Sequence, residues 1–392
     1  MIYQEFQGKQ LSLLGFGAMR LPTLENGKID EALVKEMTKY AIDNGVNYFD
    51  TAYPYHEGES EVVMGRVLSE YPRESYYLAD KYPGHQILST GYNPAEIFEE
   101  QLVKCGVDYF DFYLLHNVNE KSMETYLDPQ WDILGYFKKQ KELGRIKHLG
   151  FSAHAQTKGL EEFLNACGND MEFCQLQINY LDWTLQNGKD KYDLLKKWNI
   201  PVWVMEPVRG GKLAKLDASY ETKMKALRPD ESIAAWSFRF LQELSDIKMI
   251  LSGMSNMEQM MDNIKTFENY KPLSDDEHLL LNEIAKSMSG DVPCTACRYC
   301  CDGCPKGLDI PMLLNTYNNI CVSPAITVTM LIENLPEDKK PSNCINCGKC
   351  SRTCPQNIDI PTVLKSLDEK VASLPTWAEV CRKREEAAKQ KS

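Results

Sequence analysis

FDFYLLH, residues 110–116, is one of eight short runs of aromatic or β-branched residues that alternate with helical patterns between residues 10 and 265. The other seven are LLGFGAM (13–19), VNYFD (46–50), YYLAD (76–80), IKHLGFS (146–152), FCQLQIN (173–179), PVWVME (201–206) and IKMILSG (247–253). Runs of this length and composition are typical of buried strands. Eight strand–helix alternations predict an α/β protein, a parallel (β/α)8 TIM barrel. The preceding segment, YQEFQGKQLSLL (3–14), predicts a hairpin with Gly8-Lys9 at its turn, placed at the barrel floor.

The pattern changes near residue 270. In YKPLSDDEHLLLNEIAKSM (270–288), Ser274 is placed as a helix N-cap and Glu277 stands at the third helical position, the arrangement of a capping box. We therefore expect four parts. They are a barrel at 1–270, a linker helix at 271–290, a small, mainly α-helical ferredoxin-like module at 291–362 and a charged C-terminal helix at 363–392.

Eight cysteines in the predicted module form two copies of the pattern C-x2-C-x2-C-x3-C-P, fifty residues apart. They are Cys294, Cys297, Cys300 and Cys304, then Cys344, Cys347, Cys350 and Cys354. The repeat continues in register, because CPKGLDIP (304–311) aligns with CPQNIDIP (354–361). This spacing holds two 4Fe–4S clusters, and the fourth cysteine of each run ligates the cluster of the other run. Cys301 falls opposite Ser351, so we predict that it is a surplus thiol rather than a ligand.

Three alternatives compete with this interpretation of the cysteines. Structural zinc would take two C-x2-C pairs per site and would leave the third cysteine and the proline of each run unexplained. A disulfide framework needs an oxidising compartment, and the first residues, MIYQEFQGKQ, do not form a signal peptide. Clusters that serve stability alone are the third alternative, and the cysteine pattern leaves it open.

The bulk composition limits the partners. The 392-residue chain has a net charge of −12, which argues against nucleic acid or an anionic membrane surface and is compatible with basic redox partners. No apolar run is long enough to span a bilayer, so we expect no membrane insertion. Fourteen cysteines without an export signal favour a reducing, cytoplasmic location. Two solvent-accessible clusters would suggest an oxygen-poor, anaerobic cell.

Residues capable of acid–base chemistry stand at three consecutive strand ends, where barrel enzymes place their catalytic groups. Asp50 follows VNYF, Lys81 follows YLAD and His116 follows FYLL. Tyr55 lies five residues beyond Asp50, in the loop DTAYPYHEGES (50–60). A lysine near a tyrosine stabilises the phenolate and lowers its pKa from about 10. The tyrosine can then donate a proton to a carbonyl oxygen as hydride reaches the carbon, while histidine orients that oxygen and aspartate pairs with the lysine.

Over residues 1 to about 270 the chain resembles the aldo-keto reductase family. The motifs that carry the resemblance occur in family order: NYFDTAYPYHEGES (47–60), DKY (80–82), DFYLLHN (111–117), LGRIKHLGFSAH (143–154) and QLQINYLDW (175–183). The resemblance implies an oxidoreductase with the catalytic tetrad Asp50, Tyr55, Lys81 and His116. Tyr55 would be the general acid, since the spacing of Tyr53 from Asp50 does not match.

The same resemblance implies a nicotinamide cofactor, NADP or NAD, lying against strands five to seven. Ser152, with His154 or its neighbour Ala153, and Gln175 would hold the carboxamide. Two further residues, Met205 and Glu206, occupy the place where the family usually has an aromatic that stacks on the ring.

The phosphate end of the cofactor site departs from the family pattern. The segment LSGMSNMEQMMDNI (251–264) matches the variant with a glycine-rich turn through Gly253, Met254, Ser255, Gln259 and Asn263. It carries no lysine or arginine for the 2′-phosphate of NADPH, a usual partner of such side chains. In PVRGGKL (207–213), Arg209 and Lys212 could hold a phosphate elsewhere, or Gly210 and Gly211 could simply make a turn.

Two functional hypotheses follow. The first is Tyr-assisted, NAD(P)H-linked reduction of a small carbonyl substrate, or alcohol oxidation, by an iron–sulfur aldo-keto reductase. The alternative arises because nicotinamide moves two electrons and a cluster moves one, so coupling them usually needs a flavin. It is a ferredoxin-coupled reductase, with or without FMN or FAD, in which the clusters deliver electrons to a flavin or directly to the substrate in the barrel. A ferredoxin or a flavodoxin is its expected electron partner. An electron-transfer or scaffold protein with a relic barrel is disfavoured by the complete tetrad.

The expected substrate pocket is formed by residues that follow the strands. They are Tyr53, His116, Trp183 and the loop NVNEKSMETYLDPQ (117–130). Packing is an equal alternative for the two aromatic side chains. The sequence predicts no substrate size or charge.

Overall fold

The structure, a computed structural model, describes residues 1–84, 93–120, 122–288, 292–322, 331–333 and 335–375. It divides into two compact units, residues 1–289 and 290–392. The strands of the first unit are β1 (Tyr3–Phe6), β2 (Lys9–Ser12), β3 (Leu14–Gly17), β4 (Tyr48–Asp50), β5 (Tyr77–Tyr82), β6 (Phe110–Val118), β7 (Ile146–Ala153), β8 (Cys174–Gln177), β9 (Val202–Met205) and β10 (Ile247–Ser252). Strands β3 to β10 pair in parallel in chain order, and β10 returns to β3 to close a barrel. The predicted (β/α)8 barrel is confirmed.

Helices follow the barrel strands. They are Glu31–Asp43, Glu59–Leu68, Pro94–Cys105, Met123–Leu127, Ile133–Glu142, Thr157–Cys167, Asp182–Leu185, Gly188–Lys197, Ala218–Leu227, Ile233–Gln242, Met257–Thr266 and Asp275–Ser287. The first begins after Asp30, whose carboxylate accepts the backbone N–H of Leu33. Its residues Val34, Met37 and Ala41 are fully buried, at the spacing of one helix face.

The hairpin of β1 and β2 lies at the N-terminal ends of the barrel strands. Phe6 pairs with Lys9, which leaves Gln7 and Gly8 as a two-residue turn with φ values of 48° and 80°. Positive φ at both central residues suits the twist of a tight hairpin. The turn therefore lies one residue before the predicted Gly8-Lys9. The ring of Phe6 packs 5.0 Å from that of Trp203, so the hairpin contributes to the core of the barrel.

Glu172 ties this hairpin to the barrel. Its carboxylate lies 2.9 Å from His148 Nδ1 and 2.5 Å from Lys141 Nζ, and it accepts hydrogen bonds from Gln7 Nε2 and the N–H of Leu149. Partial burial raises the pKa of Glu172, but the hydrogen bonds from His148, Lys141 and Leu149 outweigh burial and lower the pKa to about 2. The ionised carboxylate is thus stabilised by the fold.

We expect Glu172→Gln to destabilise the barrel at neutral pH and much less in acid. The folded pKa of about 2 lies below the ordinary value of 4.5, so the ionised group contributes stability above pH 4.5 and loses it as the pH falls toward 2. The shift corresponds to about 2–3 kcal/mol of unfolding free energy. Urea unfolding of both proteins at pH 7 and pH 3 measures the difference. The exposed Glu162→Gln is the control, and an equal loss at both pH values would contradict the argument.

The predicted capping box is confirmed in helix Asp275–Ser287. The backbone N–H of Glu277 donates to Ser274 Oγ, and the Glu277 carboxylate accepts the N–H of Ser274 at 2.7 Å. The same carboxylate accepts from Arg228 Nε at 2.5 Å. Ile284 is buried among apolar side chains of the first unit, so the expected linker segment packs as part of the barrel unit.

The second unit is mainly helical, as predicted. Its helices are Tyr299–Asp302, Ile310–Val322, Lys349–Thr353 and Ile360–Ala372. The tail predicted as a charged helix lies, from residue 376 onward, outside the described residues. No helix in the described ranges combines the length and apolar character needed to cross a membrane.

The cysteine duplication extends to the backbone of the second unit. Left-handed φ values recur fifty residues apart, at Ala296 and Asn346 (53° and 54°), Arg298 and Gly348 (both 68°), and Gly307 and Asn357 (56° and 52°). The helices that follow begin at Ile310 and Ile360, again fifty residues apart. The two halves therefore fold as two copies of one unit.

Candidate active site and cluster bays

The structure brings the four predicted tetrad residues together at the C-terminal ends of β4, β5 and β6. Lys81 Nζ lies 2.5 Å from Asp50 Oδ1 and also donates to the carbonyl of Thr51 at 2.6 Å. The same nitrogen is 4.7 Å from the ring centroid of Tyr55, and the rings of Tyr55 and His116 are 6.0 Å apart. No member of the tetrad is more than 8% exposed.

Burial and the contact with Lys81 have opposite effects on the pKa of Asp50. Burial raises the pKa of Asp50, while the charge and hydrogen bond of Lys81 and a hydrogen bond from Gln175 act in the opposite direction. These contacts hold the Lys81 ammonium group beside Tyr55. An ammonium group in a dry site interacts strongly with nearby charge, because the effective dielectric constant is low.

The loop that carries Tyr55 is fixed by its own sequence. His56 and Glu57 have φ values of 51° and 56°, and Gly58 has 89°, so the chain reverses sharply after Tyr55. Burial lowers the pKa of His56, and its Nε2 accepts the backbone N–H of Leu21 at 3.1 Å. Ser60, at the end of the HEGES motif, lies 2.9 Å from the hydroxyl of Thr51.

A second buried polar cluster, which the sequence reasoning missed, lies behind the tetrad. Asp80 accepts the backbone N–H of Lys81 at 2.8 Å, and Gln101 donates to both Glu61 and the carbonyl of Lys81. Burial is the main cause that raises the pKa of both Asp80 and Glu61. The cluster fixes the backbone of Lys81 from outside the barrel, and its members look like ordinary helix and strand polar residues in the sequence.

The residues predicted to hold a carboxamide lie at the ends of β7 and β8. Gln175 is buried, and its side-chain oxygen has no hydrogen-bond partner among the described residues. Ser152 Oγ accepts the backbone N–H of Asn117 at 2.7 Å. His154 donates its backbone N–H to the carbonyl of Val118. An amide NH2 would satisfy the Gln175 oxygen, so this donor and acceptor set fits a nicotinamide carboxamide.

Met205 and Glu206, which occupy the position of the family's stacking aromatic, lie at the end of β9, and Glu206 has a left-handed backbone conformation. Met205, at the end of β9, is half-buried, and Glu206 has a φ of 56°. Burial raises the pKa of Glu206, with Arg20, 3.7 Å away, acting in the opposite direction. Arg20 was not among the predicted site residues.

The predicted phosphate-end residues surround the start of helix Met257–Thr266. The N–H of Ser255 donates to Gln259 Oε1 at 2.8 Å, and Asn263 Nδ2 donates to Ser252 Oγ at 2.9 Å. A Cβ at Gly253 would lie 3.2 Å from the side chain of Arg20. The aliphatic part of the Arg20 side chain therefore lies beside Gly253, while its guanidinium group faces Glu206 at 3.7 Å. Only the barrel closure between β10 and β3 brings Arg20 there.

Arg209 points into the protein. It is 1% exposed, its Nε lies 3.4 Å from Asp182 Oδ1, and its φ is 48°. Asp182 also accepts hydrogen bonds from Gln177 and Asn179 at 2.8 and 2.7 Å. The charge of Arg209 is thus directed at a buried carboxylate, and Lys212 is half-buried in the same turn.

The two aromatic residues expected in the substrate pocket have protein partners. Trp183 packs on Tyr192 and Phe240, with ring centroids 5.7 and 5.6 Å away. Tyr53 OH donates to Glu100 at 3.2 Å. These contacts agree with the packing alternative for both side chains.

In the second unit, the cysteines line two cavities that we call the first and second cluster bays. The first bay, about 290 Å³, is lined by Cys294, Cys297, Cys300 and Cys354. The second bay, about 340 Å³, is lined by Cys344, Cys347, Cys350 and Cys304. Each bay thus joins three cysteines of one run to the fourth of the other. This donor set fits a 4Fe–4S cluster.

Cys301 and Ser351 have the same structural task. Ser351 Oγ accepts the backbone N–H of Ile360 at 3.0 Å, and the sulfur of Cys301 is hydrogen-bonded by the backbone of Ile310. Each side chain therefore accepts a hydrogen bond from the backbone N–H of the first residue of the following helix. This contact gives Cys301 a structural role, and its assignment as a surplus thiol stays a prediction.

Comparison with known proteins agrees with both units. A model of the aldo/keto reductase family matches residues 13–286. The chain belongs to the aldo/keto reductase family. It is therefore an oxidoreductase. In the second unit, a model of the 4Fe-4S dicluster domain matches residues 293–359.

This aldo/keto reductase is similar in sequence to two named relatives, among others. A probable aldo-keto reductase 1 from Glycine max is 31% identical over 156 residues, which cover 37% of this chain and 42% of that protein. The NADH-specific methylglyoxal reductase of Escherichia coli (strain K12) is 23% identical over 305 residues, which cover 67% of this chain and 90% of that protein.

Solved structures share the barrel. A thermostable aldo-keto reductase bound to the inhibitor epalrestat has a TM-score of 0.59 at 21% identity, covering 72% of this chain and all of that one. An aldo-keto reductase from Bacillus halodurans, in its holo form, has a TM-score of 0.57 at 22% identity, covering 72% and 96% of the two chains. At this identity the likeness shows the fold.

Proposed function

We propose that the barrel site reduces a small carbonyl compound with hydride from NAD(P)H, and that Tyr55 is the proton donor. The observation that carries the proposal is the buried Lys81 ammonium group, held 2.5 Å from Asp50 and 4.7 Å from the ring of Tyr55. A fixed cation beside a phenol favours the phenolate, which makes the hydroxyl a stronger acid. The reverse reaction would oxidise an alcohol at the same groups.

Each residue of the tetrad has one task in this proposal. Asp50 holds Lys81 in place, and Lys81 stabilises the negative charge left on Tyr55 after proton transfer. The His116 ring, 6.0 Å from that of Tyr55, orients the carbonyl oxygen that receives the proton. Bound nicotinamide would supply the hydride, and Gln175 and Ser152 would fix its carboxamide. Burial of these side chains excludes competing water.

The test uses the full chain purified without oxygen. Oxidation of NADH and NADPH is followed at 340 nm with methylglyoxal as the first carbonyl probe, because one relative is named as a methylglyoxal reductase. The released cofactors are identified by chromatography. Stoichiometric flavin with no nicotinamide-dependent turnover would replace this proposal with the flavin-dependent, ferredoxin-coupled alternative.

We expect NADH to bind more tightly than NADPH. Residues 253–263 contain no lysine or arginine to pair with a 2′-phosphate, and they include the exposed Glu258, whose charge opposes a second anion. Because the charge of the 2′-phosphate would lack a cationic partner, we expect the Kd of NADPH to be roughly tenfold higher than that of NADH. Quenching of protein fluorescence by the two cofactors measures it.

Arg20 provides the control for this prediction. The side chain of Arg20 lies beside Gly253 and carries a positive charge. A preference for NADPH that disappears in Arg20→Gln would therefore indicate that Arg20 holds the 2′-phosphate, and it would contradict the expected NADH preference. An unchanged ratio in Arg20→Gln agrees with it.

For the second unit we propose that the eight cysteines of the bays ligate two 4Fe–4S clusters, with Cys304 and Cys354 each serving the bay of the other run. Bound clusters would supply one-electron transfer. The matched halves of the backbone, with left-handed positions fifty residues apart, support a site that binds the same group twice.

A further inference from the structure

The rims of the two bays differ in exposure. Among the residues that line the first bay, Arg298 is exposed, and it is ion-paired with Asp309 at 3.1 Å. Five exposed residues line the second bay: Pro305, Lys306, Ile345, Cys347 and Lys349. A ligand cysteine of the second bay is thus itself open to solvent, and the side chain of Ile345 is 55% exposed beside it.

The rim of the second bay is also basic. Lys306 and Lys349 line it directly. Lys339 Nζ donates to the carbonyl of Lys306 at 2.8 Å and is also ion-paired with the exposed Asp338 at 3.5 Å. Arg352 NH1 donates to the carbonyl of Cys347 at 3.4 Å. Four cations therefore lie on or beside one bay. We call this surface, which comprises Lys306, Lys339, Ile345, Cys347, Lys349 and Arg352, the basic rim.

The basic rim contrasts with the charge of the whole chain. The complete sequence has a net charge of −12, whereas residues 291–392 contain 13 lysines and arginines against 12 aspartates and glutamates. Salt limits electrostatic forces to about 10 Å at 0.1 M ionic strength. A partner that binds at the second bay therefore interacts with the local cations and not with the net charge of the chain. For this surface we expect an acidic partner, in contrast to the basic partner expected from the net charge.

We propose that the basic rim docks a small acidic iron–sulfur electron carrier of the ferredoxin type. Carboxylates of the carrier would face the four cations, and an apolar patch would cover Ile345, the usual arrangement of an apolar centre within a charged border. A cluster held by the four cysteines of the second bay would accept one electron from the reduced centre of the carrier, so the carrier would be oxidised and the cluster reduced, with no bond made or broken and no proton transferred. The proposal rests on the proposed function only in requiring a cluster in that bay.

The experiment measures binding rather than turnover. The full chain, with its iron and sulfide verified, is titrated without oxygen with an acidic two-iron ferredoxin by calorimetry at low and at raised salt. We expect Kd to rise with salt. Lys306→Glu/Lys349→Glu should weaken binding roughly 10- to 100-fold. The control Lys158→Glu/Lys189→Glu makes the same change in net charge on exposed barrel helices and should change Kd less than about twofold.

Several results would overturn the docking proposal. They are the absence of ferredoxin binding, equal weakening by the two double variants, and tighter binding of the wild type to anionic lipid vesicles than to ferredoxin. If Lys306→Glu/Lys349→Glu loses iron, Lys306→Gln/Lys349→Gln with wild-type iron content replaces it and should still weaken binding. Tyr55→Phe should bind the carrier as the wild type does, so failure of docking and failure of the barrel chemistry are distinguishable.

Discussion

Tyr55→Phe is expected to lower kcat/KM for carbonyl reduction by roughly 10²- to 10⁴-fold, the usual contribution of a positioned proton donor. The substitution removes one hydroxyl and keeps the ring that packs 6.0 Å from His116 and 4.7 Å from Lys81 Nζ. Cofactor binding should therefore stay within about twofold, since the loss falls on the transition state. Stopped-flow measurement of NADH oxidation, together with a fluorescence titration of NADH, separates the two quantities.

Tyr53→Phe is the matched control for this prediction. Tyr53 stands in the same loop, but its hydroxyl donates to Glu100 at 3.2 Å and its ring centroid lies 4.3 Å from Lys104 Nζ. We expect its kcat/KM to stay within about threefold of the wild-type value, in line with the loss of one exposed hydrogen bond. Full activity in Tyr55→Phe would refute the assigned proton donor whichever cofactor is used.

Pairwise cysteine replacement is expected to show that the ligands are shared between runs. Cys294→Ala/Cys354→Ala removes two ligands of the first bay only, so about four of about eight irons should remain. Cys294→Ala/Cys304→Ala removes one ligand from each bay, and most of the iron should be lost. The two double variants differ only in whether their second cysteine comes from the same bay or from the same run, since each bay is lined by cysteines of both runs.

Iron and sulfide assays of anaerobically purified protein measure this difference. Cys301→Ser is the control and should keep all the iron, because the thiol contacts the backbone of Ile310 as Ser351 contacts that of Ile360. The reverse pattern, in which Cys294→Ala/Cys304→Ala keeps half of the iron, would mean that each run ligates its own cluster. Iron content near wild type in Cys294→Ala/Cys354→Ala would contradict the ligand assignment altogether.

Local patterns were sufficient for the fold and for most of the candidate site. Strand runs, helix faces and the capping box depend on neighbours within a few residues, so the barrel and the cap at Ser274 could be predicted. Asp50, Lys81 and His116 could be placed together because parallel strands of a barrel carry their C-terminal ends to one edge. The cysteine repeat also predicted two matched halves, because the spacing of the cysteines along a short loop is a local pattern that can be recognised in the sequence.

The tertiary structure decided what depends on distant parts of the chain. It placed Arg20 beside Gly253 across the closure of the barrel and directed Arg209 onto Asp182. It also brought Lys339 onto the carbonyl of Lys306, 33 residues away, at the cavity that the exposed Cys347 lines. The burial of a side chain and the electrostatic potential around it depend on all neighbours in space, including those distant in sequence. A net charge of −12 for the chain therefore does not predict the sign of the charge on the rim of the second bay. The sequence by itself thus determined the barrel, the tetrad residues and the cysteine runs, while three-dimensional packing decided where the remaining charges act.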